Sequence, residues 1–124
     1  MPGIFFPSSK PSFIDAQRVI SGLREIAVRT AEKNKTVEAV YLFGSYSEGN
    51  AAARSDADIF VILSQDERRI PDRPEEFIME FSHGPVPVDV MVCTRAEADA
   101  AVKEGNRFLI RALNGVNRAK LTIL

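Results

Sequence analysis

Two aspartates, Asp56 and Asp58, open the run Asp56-Ala-Asp-Ile-Phe-Val-Ile-Leu63. That run reads as a strand, and side chains two apart on a strand share one face. Two carboxylates held side by side repel each other, an arrangement tolerated where a divalent cation neutralises them. Ten residues separate Asp56 from Gly44-Ser45, which ends another apolar strand, Val40-Tyr-Leu-Phe43. A third acid, Asp89, interrupts the apolar run Val86-Pro-Val-Asp-Val-Met-Val92. Asp58 and Asp89 both have apolar strand neighbours, and an isolated carboxylate near a buried sheet is expensive. A Gly-Ser turn plus three strand-borne carboxylates is a constellation for metal-bound phosphate chemistry.

The elements that must hold these residues follow from periodicity. Residues 1–11 carry Pro2, Pro7 and Pro11 and read as an irregular lead-in, with Ile4, Phe5 and Phe6 apolar enough to pack on the domain or a partner. Ser12 with Asp15 suits a helix start. Phe13, Ala16, Ile20, Leu23, Ala27 and Ala31 then follow helical spacing to a predicted end near Asn34. Val37 to Phe43 is the first predicted strand, Gly44 to Arg54 a turn and short helix, and Asp56 to Leu63 a central strand, apolar on both faces after its acids. Gln65 to Pro74 is polar and reads as a solvated loop. A short helix over Glu75 to Phe81 and a turn at Ser82-His-Gly-Pro85 precede the third strand, Val86 to Val92. Thr94 and Glu97 are spaced as a capping box opening a helix through Val102. After a break at Gly105-Asn106, Phe108, Leu109, Leu113 and Val116 suit a second amphipathic helix. Leu121 to Leu124 fits an edge strand.

Bulk properties narrow the function. The 124 residues suffice for one compact domain, residues 1–124, and are too few for two. Net charge is −1, so no global basic field exists to hold a long nucleic acid. The lone Cys93 permits no internal disulfide and reads as a small buried hydrophobe. No apolar stretch approaches a membrane span and the N-terminus lacks a signal-peptide pattern, which makes a cytoplasmic protein the expectation.

Gly44-Ser45, ten residues, Asp56-x-Asp58 and a later strand-borne Asp89 together resemble the nucleotidyltransferase superfamily that includes DNA polymerase beta. The look-alike nearest in size is the minimal nucleotidyltransferase family. The resemblance covers most of the chain, and four elements must agree in order and context. It implies an α/β (α+β) fold: a small mixed sheet with helices packed mainly on one face. It implies an enzyme moving a nucleoside monophosphate from ATP or another nucleoside triphosphate to a hydroxyl acceptor. Asp56, Asp58 and Asp89 would then be the catalytic, metal-binding acids, holding two Mg2+ ions. Gly44, Ser45, Gly49 and Ser55 would belong to the nucleotide-binding loop. Minimal nucleotidyltransferases often accompany a helical HEPN-type protein as its antitoxin, and some adenylylate it.

One position departs from the family's arrangement. Glu48 stands where Gly-Ser-x-x-(Arg or Lys)-Gly commonly has a base, and an acid beside a triphosphate loop weakens anion binding unless it points away. Glu48 therefore favours a second reading, a binding antitoxin that neutralises its partner by contact alone. A third reading, a small-molecule nucleotidyltransferase of the aminoglycoside-modifying kind, lacks room for an acceptor domain. The same lack of room predicts that a second chain, another copy or a helical partner, completes the acceptor site. Arg54 as a phosphate contact, and Arg68, Arg69 and Arg73 as an acceptor-binding face, are weighed against plain solvated arginines. His83, the single histidine, lies in a turn and suits neither metal binding nor catalysis.

Overall fold

A computed structural model describes residues 13–43, 56–114 and 119–121. Helix α1 spans Phe13–Lys33 and strand β1 Val37–Phe43. Strand β2 spans Ala57–Leu63, followed by a 3-10 turn at Ile70–Asp72 and helix α2 at Pro74–Phe81. Strand β3 is Val88–Thr94, helix α3 Arg95–Lys103, helix α4 Arg107–Asn114 and strand β4 Ala119–Lys120.

The sheet order is β3-β2-β1-β4. Strand β1 runs antiparallel to both neighbours, whereas β2 and β3 are parallel, so the sheet is mixed. Connecting two parallel strands requires a crossover. Here it is the stretch from Ser64 to Pro87, with α2 inside it.

Alternation along the strands sends two sets of side chains to opposite faces. Ala57, Ile59, Val61 and Leu63 of β2 join Val40 and Leu42 of β1 under α1 (Leu23, Ile26, Ala27, Ala31) and α2 (Phe77, Phe81). This is the larger core, and it matches the predicted sheet with helices mainly on one face. A smaller cluster lies behind the sheet, where Ala39, Tyr41, Phe60 and Ile62 meet Leu109 of α4, with Ala101 and Val102 of α3 against them. Being covered on both faces explains why β2 is almost continuously apolar.

Small residues allow α1 to sit close. A Cβ on Gly22 would come within 3.1 Å of the Pro85 ring, and one on Gly84 within 3.0 Å of both Ile26 and the Phe81 carbonyl. Asn34 ends α1 and starts β1, because its Oδ1 accepts from the Thr36 amide (3.0 Å) and hydroxyl (2.6 Å). The Thr94–Glu97 capping box is present in both directions: the Thr94 hydroxyl accepts from the Glu97 amide, and Glu97 accepts from the Thr94 amide. Gly105, at φ +87°, turns the chain between α3 and α4.

Three expectations need adjustment. The third strand begins at Val88 rather than Val86, with the Pro87 carbonyl accepting from the Ala57 amide at 2.9 Å. Proline has no N–H, so the ladder starts after it. Strand β4 at Ala119–Lys120 ends before Leu121, and residues 122–124 of the predicted edge strand lie outside the described residues. The polar stretch before α2 is not simply a solvated loop. Arg73 within it is 4% exposed and enters a charge network. No helix among the described residues is long and apolar enough to cross a membrane.

Candidate active site

Strand register brings the acids together. Asp58 on β2 is the Cα partner of Asp89 on β3, and Phe43 on β1 is the partner of Asp58. In-register residues on neighbouring strands point the same way, about 4.8 Å apart. Phe43, Asp58 and Asp89 therefore form a row across three strands, on the face that carries Phe60 and Ile62. Asp56 lies two residues before Asp58, just outside β2, and is exposed.

Electrostatics agree with this convergence. The Asp58 carboxyl is half-buried and its pKa is raised, first by burial, then by the negative charges of Asp89 and Asp56. None of the ion pairs among the described residues involves Asp56, Asp58 or Asp89. Carboxylates grouped in this way offer the hard oxygen donors that Mg2+ takes. In their present rotamers no three acid, His or Cys side chains among the described residues are close enough to clasp one ion. Asp58 and Asp89 are thus paired by strand register, with Asp56 near enough for its charge to act on Asp58.

A cavity of about 310 Å3 opens beside the pair, lined by Phe43, Asp58, Ile59, Asp89, Val90, Met91 and Phe108. Gly44, Ser45, Gly49 and Ser55, predicted for the nucleotide loop, lie outside the described residues, as do Glu48, Arg54 and the apolar residues Ile4, Phe5 and Phe6. Met91, Phe43 and Phe108 were not singled out by the sequence reading. Two of them carried a signal: Met91 follows Asp89 by two on the same strand, and Phe43 immediately precedes Gly44-Ser45. Phe108 carried none, since it reads as an ordinary apolar helix position.

Other candidates fall elsewhere. Arg68 and Arg73 sit at the far ends of β2 and β3, bound to carboxylates rather than presented as an acceptor face. Arg73 donates to Glu97 at 2.5 and 3.1 Å and to the Arg68 carbonyl at 3.0 Å. Arg69 is exposed and pairs loosely with Asp72 at 3.9 Å. His83 lies in an exposed turn. Cys93 is half-buried against the smaller cluster, and burial pushes its thiol up, away from the reactive thiolate.

The family described as polymerase beta, nucleotidyltransferase matches residues 25–106, about two thirds of the chain. The chain belongs to this nucleotidyltransferase family. The match runs from within α1 through α3 and includes all three acids, in agreement with the minimal-nucleotidyltransferase type read from the sequence. A candidate nucleotidyltransferase from Sulfolobus solfataricus, known from a crystal structure, is 27% identical with a TM-score of 0.56; the similarity covers 79% of this chain and 85% of that one. No match was found among curated proteins.

Proposed function

We propose that this nucleotidyltransferase-family domain transfers a nucleoside monophosphate, AMP from ATP in the first instance, to a hydroxyl acceptor, using Asp56, Asp58 and Asp89. The observation that carries the reading is the in-register pair Asp58–Asp89, held on a rigid sheet with no cation beside it among the described residues. In the reaction an acceptor oxygen bonds to the α-phosphorus, the bond from that phosphorus to the bridging oxygen breaks, and pyrophosphate carries away the electron pair. Magnesium bound to the acids would supply positive charge to the phosphoryl oxygens and the leaving group. Asp58, fixed mid-sheet, orients the donor end. Asp89, the exposed member of the pair, is placed to accept the acceptor hydroxyl's proton. Gly44 and Ser45 enter this reading from sequence alone, as the phosphate-holding turn.

The acceptor is proposed to be a hydroxyl on a protein partner, a helical HEPN-type protein by family resemblance. Titration calorimetry with ATP, with and without Mg2+, is the first test, and binding should need the metal. Incubation of candidate partner, labelled ATP and Mg2+ should then move label to the partner, and an Asp56→Asn, Asp58→Asn double variant should not. Full neutralisation of the partner by that variant, with no label moved by the wild type, would replace catalysis with binding by contact. Replacing Glu48 with Arg should tighten ATP binding, since it exchanges a repulsive charge for an attractive one.

A further inference from the structure

The cavity beside the acid pair has two chemically different walls. Asp58 and Asp89 form one, and the side chains of Phe43, Met91 and Phe108 form the other. Phe108 is 44% exposed and Met91 39%. Single exposed apolar residues are ordinary, but here they share one cavity with a carboxylate pair. The Phe108 ring is propped edge-on against Phe43, with centroids 5.6 Å apart at 72°. Phe43 in turn meets the fully buried Phe60 edge-on at 6.4 Å and 85°. The exposed ring is therefore the outer end of an aromatic chain anchored in the core, which limits its freedom to move.

We propose that this wall seats the base of the nucleotide, and that it reads the base by stacking rather than by hydrogen bonds to its edge. The proposal deepens the nucleotide-transfer reading and rests on it. A nucleotide carries in one molecule the two features that the cavity separates: a flat ring for Phe108 and Met91, and phosphates for a cation held by the acids. Among the described lining residues the carboxylates are the only polar side chains. No described lining side chain is an amide, a hydroxyl or a base. Base preference should then follow stacking area, with ATP and GTP alike and both ahead of CTP and UTP.

The test is calorimetric titration of the full chain with the Mg2+ complexes of the four nucleotides and of tripolyphosphate, which has phosphates but no base. Wild type should bind ATP and GTP within about threefold of each other and about tenfold more tightly than tripolyphosphate, a stacking contribution of ordinary size. Phe108→Ala should lose most of that advantage while binding tripolyphosphate as before. Phe108→Leu keeps apolar volume without a flat face and should also lose most of it; it carries the comparison should the alanine variant fail to fold by circular dichroism. Equal binding of ATP and tripolyphosphate by wild type would overturn the proposal. So would equal loss of both ligands in the variants, or a strong preference for one purine over the other. If neither ATP nor tripolyphosphate binds, the nucleotide-transfer reading fails and the base site falls with it. Tight tripolyphosphate binding with no gain from a base keeps that reading and removes only the base site.

Discussion

At the amino ends of β2 and β3, Asp58 and Asp89 face each other with no cation beside them among the described residues. At the carboxyl ends of the same two strands every carboxylate of the local network has an arginine. Asp66 accepts from the Arg68 side chain at 2.6 and 3.0 Å, Glu76 pairs with Arg68 at 3.0 Å, and Glu97 holds the buried Arg73. The effects on the acids are opposite in direction. Hydrogen bonds from Arg68 hold Asp66 below its ordinary value, and those from Arg73 do the same for Glu97. Burial and neighbouring carboxylates push Asp58 above its own. Among the described residues, the charges that serve the fold have partners in the chain, whereas the acids proposed for the ligand do not.

The largest expected effect tests the matched end. Arg73→Ala leaves Glu97 without its buried partner and frees the Asp66 and Arg68 carbonyls that Arg73 ties together. Denaturant unfolding should show a loss of about 3 kcal/mol, the low end for a broken buried pair, because Glu97 keeps some solvent contact. Transfer activity should fall only as far as the folded fraction does.

The unmatched end should respond the other way. Asp58→Asn should reduce transfer by about 100- to 1,000-fold, as expected on removing one group that stabilises charge in the transition state. The same substitution should leave the metal-free protein as stable as wild type or more stable, because it removes a carboxylate that burial and its acidic neighbours disfavour. Mg2+ should raise the melting temperature of wild type and not of this variant.

The smallest effect is a difference in pH slope. Asp66 and Glu97, with lowered values, contribute stability that is present above their unfolded values of 3.8 and 4.5 and is lost as pH falls through the folded ones. Asp58, with a raised value, lowers stability as pH rises from 3.8 through its folded value. Thermal melts across this range should therefore show Glu97→Gln flattening the acid-side loss and Asp58→Asn steepening the gain toward neutral pH. Matching slopes in the two variants would remove the distinction between the two ends.

Local rules made much of this legible. The spacing Thr94-x-x-Glu97 carried the capping box, and the apolar run Val37 to Phe43 carried β1 to its bounds. Asp58 and Asp89 were found because each interrupts an apolar strand, and Asp56 by its place two residues before Asp58. Their facing register was not legible, since it depends on β2 and β3 pairing in parallel across a crossover. Arg73 was missed for a similar reason. Its partners lie seven residues before it and 24 after it, and a basic residue beside a proline in a polar stretch carries no periodic mark of burial. The two-sided core was legible in β2, which is apolar on both faces, while the partner that α4 supplies, Leu109, was legible only as an apolar helix position.

Strand β3 lies at the margin of the sheet among the described residues, and its sequence Val-Asp-Val-Met-Val-Cys-Thr contains a single charge, Asp89. A flat apolar margin is a template on which another chain can add a strand, and a charge is one of the common ways to prevent it. The carboxylate proposed for chemistry thus also stands where a charge opposes such pairing. A chain neutralised at Asp89 is expected to lose transfer activity and to gain a tendency to associate through that margin, two losses that an assay reads as one. Asp58, inside the sheet, has no such second duty.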